Sequence, residues 1–305
     1  MGRPTEVRVR VPASSANLGP GFDSLGLALG LYDDVEVSVA PDGVEVEVVG
    51  EGAGRVPCDD SHLVYRAMQT TWNITGATED GTAPTGVRMR CRNAIPHSRG
   101  LGSSAAAAVA GAVAAVVLAG RDPALERDTL LQVTAGMEGH ADNAAASLLG
   151  GFVVAWETAG NTAERFHAVR LDAHPGIRPV ALVAGTESLT STTRGLLPDR
   201  VPLVDAAFTG SRTALAVLAF TQHPELLMPA TEDRLHQGYR RPAYPESADL
   251  VDALRSHGIP AAISGAGPTV LALTSDCVIP AGIDLHGFVT MPLPVDADGA
   301  RIDVG

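Results

Sequence analysis

The chain has 305 residues, 45% hydrophobic and 19% charged, which is enough for two domains with buried cores. Its formal net charge of −13 argues against a surface for nucleic acid or anionic membranes, so local arginines must hold any anionic substrate. All 22 basic residues are arginine, which excludes the P-loop lysine, the strand lysine of protein kinases and a Schiff-base lysine.

Cysteine usage and the apolar segments predict the compartment. Cys58, Cys91 and Cys277 are widely spaced and form no CxxC pair, which favours thiols of a reducing compartment over disulfides or zinc ligands. The first residues lack an apolar signal core, and the apolar run 105–119 is too short to span a bilayer. We therefore expect a cytoplasmic protein with no membrane and no nucleic-acid partner.

The first half of the chain mixes strands and helices. Alternation with period two predicts strands, and apolar residues spaced three and four apart predict helices, the first of which opens on Ser61 as its N-cap. The absence of regular β-α-β alternation favours the α+β class. The predicted strands are 7–11, 34–39, 44–49, 86–92 and 151–157, and the predicted helices are 61–72, one starting near Ser103, 124–135 and 137–149.

The polar stretch 159–165 marks the predicted domain boundary. We place an N-terminal domain at residues 1–160 and a C-terminal domain at residues 161–305. In the second domain a strand at 178–185 and helices at 201–221 and 247–258 precede a strand–turn–strand unit at 260–274; the glycine at 258 ends its helix.

A glycine–serine loop stands directly before the alanine-rich helix. Gly100 and Gly102 let the backbone approach an anion closely, and Ser103 or Ser104 can cap the helix. The free N–H groups and the dipole of a helix N-terminus favour phosphate. The spacing fits neither GxxxxGK[ST] nor GxGxxG, and a merely structural cap uses the same residues, so the loop alone leaves both interpretations open.

Three segments, in order, resemble the motifs of the GHMP kinases, a family named for its galactose, homoserine, mevalonate and phosphomevalonate kinases. Residues 96–108, "PHSRGLGSSAAAA", are similar to the phosphate loop of the family. Residues 11–29, "VPASSANLGPGFDSLGLAL", resemble its first motif, and residues 263–273, "ISGAGPTVLAL", resemble its third. Three ordered motifs that together span most of the chain, from residue 11 to residue 273, are a specific signal.

The resemblance implies a fold and an activity. The fold is α+β with two domains, an N-terminal ribosomal-protein-S5-like α/β domain and a C-terminal ferredoxin-like α+β domain, and the active site lies in the cleft between them. The first motif has the form typical of members that act on homoserine. This implies ATP-dependent phosphorylation of the L-homoserine hydroxyl in threonine biosynthesis, with ATP and Mg²⁺ as cofactors, and a possible homodimer.

The resemblance also implies which residues hold ATP. The glycine–serine loop would cradle the phosphates, and the start of the helix predicted from residue 61 would line the adenine pocket, although a plain helix N-cap explains those residues equally well. The implied ATP-binding residues are Pro96, His97, Ser98, Arg99, Gly100, Leu101, Gly102, Ser103, Ser104, Ala105, Ala106, Ser61, His62 and Leu63.

Glu138 and Ser104 resemble the family residues that coordinate Mg²⁺, an ion that prefers oxygen ligands and shares substrate phosphates. The structural alternative for Glu138 is a glutamate at a helix start, where the dipole favours it. His140 and Asp142 resemble residues that shape the substrate pocket, and for His140 we favour a hydrogen-bonded structural role over that of a general base. Ala141, where family members often have proline, should affect only backbone stiffness.

Asn143 carries the mechanistic prediction. Several relatives have an aspartate in this region as the base for the substrate hydroxyl, whereas an amide has no basic lone pair near neutral pH. Asn143 can therefore orient the hydroxyl but cannot take its proton. The resemblance then implies that positioning and charge neutralisation dominate, as suits a loose phosphoryl-transfer transition state.

Homoserine is a zwitterion, so its site needs cations for the carboxylate and acceptors for the ammonium group. Arg194 and Arg240 resemble the arginines that bind the carboxylate, for which a guanidinium fork is suited. The alternative for each arginine is a solvated surface charge. Gly238 replaces the usual proline and should loosen the loop that presents Arg240. The implied substrate-binding residues are Asn17, Asp23, His140, Asp142, Asn143, Arg194, Arg240, Gly265 and Gly267.

Two other functions remain open from the sequence. Another small-alcohol kinase of the family, such as a mevalonate-like enzyme, would have less use for Asp23 and the paired arginines. A catalytically silent nucleotide-binding relative would have no need of Glu138, Ser104 and Asn143 together.

Overall fold

The computed structural model describes residues 3–160, 164–188 and 193–303. The predicted boundary stretch 159–165 lies partly outside them. The strands are β1 (Glu6–Asn17), β2 (Gly21–Ala40), β3 (Gly43–Gly50), β4 (Gly86–Asn93), β5 (Phe152–Glu157), β6 (Phe166–Leu171), β7 (Arg178–Val183), β8 (Ala261–Ile263), β9 (Val270–Thr274), β10 (Val289–Pro292) and β11 (Arg301–Asp303). The helices are α1 (Leu63–Ile74), α2 (Ser103–Leu118), α3 (Arg127–Glu138), α4 (Asp142–Leu149), α5 (Leu203–Thr221), α6 (Leu227–Ala230), α7 (Gln237–Arg240) and α8 (Pro245–Ser256).

A seven-stranded sheet forms the larger layer. Its strand order is β11-β1-β2-β4-β3, and β5 and β6 extend it from β2. The alternation predicted at residues 7–11 is confirmed, because Val7, Val9 and Val11 are fully buried while the residues between them face solvent. The long antiparallel pair β1–β2 carries the first motif at the end where the two strands join.

Helix α2 lies in the core behind this sheet. Its alanines and valines are buried on nearly all sides, so it is a core helix without a polar face. The approach of α1 is close: a Cβ on Gly111 would lie 2.1 Å from the Val64 carbonyl oxygen.

The second sheet is smaller and antiparallel, with strand order β10-β7-β9-β8, and it packs with α8 in a separate core cluster. Strands β6 and β11, which lie beyond residue 160, belong to the large sheet. The α+β class is confirmed, and the boundary at residue 160 stays a prediction.

Helix α5 differs from the other described helices in its combination of length and apolar composition. It is the one helix in residues 3–160, 164–188 and 193–303 that is long and apolar enough to cross a membrane by length and composition. Its Phe220 stacks on Phe152 of the large sheet with ring centroids 4.9 Å apart, which anchors the C-terminal end of the helix in the core. The cytoplasmic location and the homodimer stay predictions.

Two details of the predicted helices are wrong. The first helix begins at Leu63 with His62 as its N-cap, and the Ser61 hydroxyl bonds Asp59 at 2.5 Å instead of the helix. The predicted helix 137–149 is divided, because Gly139 adopts φ +84° and ends α3, and α4 begins only at Asp142.

Candidate active site

The glycine–serine loop packs against the third motif in the C-terminal half of the chain. Gly100 has φ +80°, and a Cβ there would lie 2.3 Å from the Ser264 carbonyl oxygen. The Ser264 hydroxyl donates to the Gly100 carbonyl oxygen at 2.5 Å. Glycine is therefore required by both the backbone conformation and the close approach of the third motif.

The start of α2 lies at Gly102, the N-cap residue, which has φ +71°. Within the part of the chain that the structure describes, no side chain caps this helix start. The prediction that Ser103 or Ser104 caps α2 is wrong, because the Ser104 hydroxyl donates to the Glu138 carboxylate at 2.9 Å instead. The first N–H groups of α2, with the positive end of its dipole, stand at the cavity wall.

Glu138 occupies a position that helix stability does not favour. It is the last residue of α3, so the dipole disfavours its negative charge, and its interpretation as a helix-start glutamate is wrong. Burial raises the pKa of the Glu138 carboxyl above its ordinary value, against the lowering effects of the Ser104 hydrogen bond and the His140 charge. A carboxylate held under these conditions beside a phosphate loop is suited to a cation.

Asn143 is held by a chain of hydroxyl groups. The Ser14 hydroxyl donates to the Asn143 Oδ1 atom at 3.0 Å, and the Ser147 hydroxyl donates to Ser14 Oγ at 3.1 Å. Because Oδ1 is the acceptor, the amide NH₂ of Asn143 remains as a donor toward the cavity that this residue lines. Gly102 lies directly beside this pair: a Cβ there would be 2.1 Å from Ser14 Oγ.

His140 and Asp142 form a buried pair beside Asn143. His140 Nδ1 lies 2.6 Å from Asp142 Oδ1, which also accepts the backbone N–H of Asn143 at 2.8 Å. Burial lowers the pKa of His140, but the Asp142 contact and the charges of Asp142, Asp23 and Glu138 raise it more, so its pKa lies above the ordinary value. Asp142, which is 1% exposed, is thus committed to two partners.

The first motif presents a carboxylate and an amide to the same cavity. Asn17 donates from Nδ2 to the Gly265 carbonyl oxygen at 2.8 Å and accepts the Asp23 backbone N–H at 3.0 Å. Asp23 receives two hydrogen bonds from Arg194, at 2.9 and 2.7 Å. Asp23 and Arg194, the anion and the cation suited to a zwitterionic substrate, are therefore paired with each other.

Arg240 is almost completely buried, at 1% exposed, so its interpretation as a solvated surface charge is wrong. It ends the short helix α7, so the prediction of a loop loosened by Gly238 is also wrong. Nη1 of Arg240 donates to the Gly265 carbonyl oxygen at 3.4 Å, and Nε of Arg240 is a buried donor without a partner among the described residues. Arg194 and Arg240 lie 5.3 and 5.4 Å from the centre of the Phe22 ring, which brings both cations to one place.

These side chains meet in one cavity of about 340 Å³. The predicted residues that line it are Asn17, Asp23, Ser98, Gly100, Gly102, Ser103, Ser104, Glu138, His140, Asp142, Asn143, Arg194, Arg240, Gly265 and Gly267. The sequence missed Ala16, Met137, Ser188 and Ala266, which carry no chemical signal of their own.

A second cavity, of about 270 Å³, lies on the other side of the phosphate loop. It shares Ser98, Ser103 and Ser104 with the first. Of the other predicted ATP-binding residues, it is lined by Ser61, His62, Leu63 and His97. The lining residues that the sequence did not predict are five apolar and two polar ones. They are Val35, Val56, Pro57, Val64 and Ala107, with the polar Asp33 and Asn93.

Five predicted ATP-binding residues lie outside both cavities. Leu101, Ala105 and Ala106 are buried behind the loop. Arg99 is turned to the other half of the chain, where Nε donates to the Ala184 carbonyl oxygen at 2.9 Å. These residues and Pro96 shape and anchor the loop, and direct ATP contacts by them stay a prediction.

Comparison with known proteins shows the family of this chain. The family profile for the GHMP kinases N terminal domain matches residues 62–151, and the profile for the GHMP kinases C terminal region matches residues 211–276. The homoserine kinase of Streptomyces avermitilis is 51% identical over 303 residues, covering 98% of this chain and 96% of that protein. That of Rhodococcus opacus is 52% identical over 308 residues, with 97% and 96% covered.

A solved structure shows the same fold. The homoserine kinase from Cytophaga hutchinsonii matches with a TM-score of 0.84 at 24% identity, and 99% of each chain is covered. With half of its residues identical to those of the Streptomyces avermitilis and Rhodococcus opacus proteins over nearly its whole length, this chain belongs to the homoserine kinases of the GHMP kinase family.

Proposed function

We propose that this chain transfers the terminal phosphoryl group of ATP to the side-chain hydroxyl of L-homoserine, giving O-phospho-L-homoserine for threonine biosynthesis. One observation carries the proposal. A single cavity holds a phosphate-type loop on one wall and, on another, a carboxylate and two arginines suited to a zwitterion, with Asn143 between them. The curated relatives at about half identity carry the same function in their names.

The two cavities suggest how ATP is placed. The smaller, more apolar cavity beside Leu63 would take the adenine, and the loop shared by both cavities would take the phosphates. The N–H groups at the start of α2 supply donors and a favourable dipole.

Ser104 and Glu138 would hold Mg²⁺, which would neutralise phosphate charge during transfer. Both are oxygen ligands, and they lie 2.9 Å apart at the loop. Among the described residues, no group of three or more His, Cys, Asp or Glu side chains is arranged to hold a metal. This agrees with an ion that completes its shell with phosphates and water.

Homoserine would bind by exchange with the Asp23–Arg194 pair. Its ammonium group would lie at Asp23 and its carboxylate at Arg194 and Arg240, so that the paired charges of the protein match those of the substrate. The hydroxyl would then receive the Asn143 amide. No free carboxylate is needed at that point, because a loose transition state requires little activation of the nucleophile. As ADP leaves, the hydroxyl proton would pass to the transferred phosphate or to solvent.

ADP release with a panel of alcohols tests the proposal. With ATP and Mg²⁺ we expect turnover of L-homoserine and none of mevalonate or shikimate. Turnover of another alcohol without homoserine would replace the substrate, and ATP binding without ADP release would favour a catalytically silent relative.

Substitution of Glu138 by glutamine should weaken the response to magnesium. The neutral amide keeps the size of the side chain but removes its negative charge, so we expect the Mg²⁺ concentration for half-maximal turnover to rise about tenfold or more. A magnesium titration at fixed ATP and homoserine measures it. Glu225→Gln, at an exposed glutamate, is the control, and an unchanged titration for Glu138→Gln would remove this residue from the metal site.

Substitution of Asn143 by alanine should lower turnover by roughly one to three decades, the loss expected for a positioning hydrogen bond. Because an amide does not titrate, the pH–rate profile should gain or lose no limb. Initial rates at saturating substrates across the pH range measure both quantities. A lost limb would show that Asn143 supports a titrating group.

Asp142→Asn distinguishes orientation from base catalysis. Asp142 already accepts from His140 and from a backbone N–H, so we expect the acidic limb of the profile to remain whatever the rate. Loss of that limb while homoserine still binds would identify Asp142 as the general base.

A further inference from the structure

His236 lies beneath the substrate side of the cavity and has no part in the predicted site. Its side chain is 0% exposed, and it precedes α7, whose last residue is Arg240. The ring lies against Phe22, with centroids 5.3 Å apart, and Phe22 also lies under the Arg240 guanidinium. His236 therefore stands between the first-motif loop and the helix that carries Arg240.

The two ring nitrogens of His236 face groups of opposite type. Nε2 lies 2.6 Å from the Gly19 carbonyl oxygen, which can only accept, so Nε2 carries the proton. Nδ1 lies 3.4 Å from Nη1 of Arg240, which can only donate, so Nδ1 presents its lone pair. One neutral tautomer satisfies both contacts, and a doubly protonated ring satisfies only one.

The surroundings of the ring agree with a neutral state. Asp233 Oδ2 lies 3.7 Å from Nε2, but the Asp233 carboxylate already accepts three backbone N–H groups at the start of α7, at 2.8, 3.0 and 2.8 Å. Burial lowers the pKa of His236, and the Arg240 charge lowers it as well, against the raising effects of Asp233, the Gly19 carbonyl and Asp23.

Few polar groups orient the Arg240 guanidinium. Its Nη1 donates to His236 Nδ1 and to the Gly265 carbonyl oxygen, both 3.4 Å away, and the Tyr244 hydroxyl also lies beside it. Without the ring, the guanidinium would lose one of these polar neighbours, while its Nε has no partner among the described residues. Its planar fork would then be held less firmly relative to the loop that carries Asp23.

We propose that His236 is a positioning residue for the substrate carboxylate: its neutral ring accepts from Arg240 and fixes that guanidinium relative to the first-motif loop. The inference rests on the proposed function, because it gives Arg240 the carboxylate of homoserine as its ligand. The orientation of Arg240, and with it the recognition of an α-amino acid, is thereby tied to a contact with Gly19 on the opposite half of the chain.

His236→Phe tests this role, since phenylalanine keeps the aromatic packing on Phe22 and removes both hydrogen bonds. The KM for homoserine should rise about 10- to 100-fold, the effect of losing a hydrogen bond to a charged group, with little change in turnover or in the KM for ATP. His257→Phe, at an exposed histidine, is the control. In an Arg240→Met background, His236→Phe should cause no further rise, because the two residues act as a unit.

A substrate analogue separates positioning from a general structural effect. 3-Aminopropan-1-ol lacks the carboxylate of homoserine, so its inhibition constant against homoserine should be the same in the wild type and in His236→Phe. Equal weakening of both compounds would overturn the inference. If the wild type phosphorylates homoserine and the variant keeps its KM, only the role of His236 fails; if the wild type does not, the proposed function fails.

The tautomer can be measured in the wild-type protein, so this test does not depend on whether the variant folds. In the ¹⁵N NMR spectrum of the wild-type protein at neutral pH, we expect His236 to carry a proton on Nε2 and none on Nδ1. A protonated Nδ1 would overturn the inference, because that nitrogen could no longer accept from Arg240.

Discussion

Gly102→Val should reduce turnover by about a thousandfold or more, the largest effect we expect from a single substitution, because it affects phosphate binding and the orientation of Asn143 together. Gly102 has φ +71°, which side chains rarely adopt, and its Cβ would lie 2.1 Å from Ser14 Oγ and 3.1 Å from Asn143 Oδ1. A valine there must move the backbone that faces phosphate or the serine that holds the amide.

Steady-state kinetics against ATP and homoserine, with a melting curve, measure this change. Gly210→Ala is the matched control, since Gly210 lies in a helix with no atom within 4 Å of its added Cβ. We expect the control to keep both activity and melting temperature. Unchanged turnover and an unchanged KM for ATP in Gly102→Val would refute the phosphate-loop assignment.

Arg194→Leu should raise the KM for homoserine by roughly 30-fold to a few hundredfold, and that for ATP far less. Truncating one partner of a buried, hydrogen-bonded charge pair costs about 2–5 kcal/mol, and the lower half of that range applies here because the Arg194 side chain is 42% exposed. The structure gives two reasons for this loss. The substrate carboxylate would lose a cation, and Asp23 would lose the partner from which it receives two hydrogen bonds. Asp23 is then a poorer match for the ammonium group.

The matched control for Arg194→Leu is Arg88→Leu. Arg88 also pairs with a carboxylate, Glu45 at 2.7 Å, but on the exposed surface of the large sheet. This pair is more exposed than Asp23–Arg194 and lines neither of the two cavities described above, so we expect both KM values to stay unchanged in this control. Equal losses for ATP and homoserine in Arg194→Leu would instead point to misfolding or to a role at the phosphates.

Much of the fold could be predicted because its signals are local. The alternating valines of β1 and the alanines of α2 follow the periods of a strand and a buried helix. The glycines at 100 and 102 could be assigned to a loop because only glycine tolerates such conformations and close contacts. Where two local signals competed, prediction failed: Gly139 divides a segment whose spacing favours one helix.

The site was predicted as a set of residues, not as an arrangement. Matches to the family, in the three motifs and in the segments around residues 138–143, 194 and 240, supplied every polar residue that lines the main cavity except Ser188. They did not show that the Ser104 hydroxyl bonds Glu138 instead of capping α2, or that Glu138 ends its helix. The first outcome depends on how α3 packs beside α2, which no local pattern encodes, and the second on Gly139, which ends α3.

The sequence by itself determined the class of the fold and the absence of any lysine that could contribute to catalysis, because these depend on composition and period, whereas the prediction of a phosphate loop came from the resemblance to the GHMP kinases. Only the tertiary structure decided which side chains are partners. Asp23 and Arg194 are 171 residues apart, and Ser14 and Asn143 are 129 apart, yet both pairs are hydrogen-bonded. His236 has no motif that marks it, and its role follows only from the ring nitrogens that packing places against Gly19 and Arg240. Side-chain hydrogen bonds act over about 3 Å, so contacts between distant segments exist only once the packed chain has brought them together.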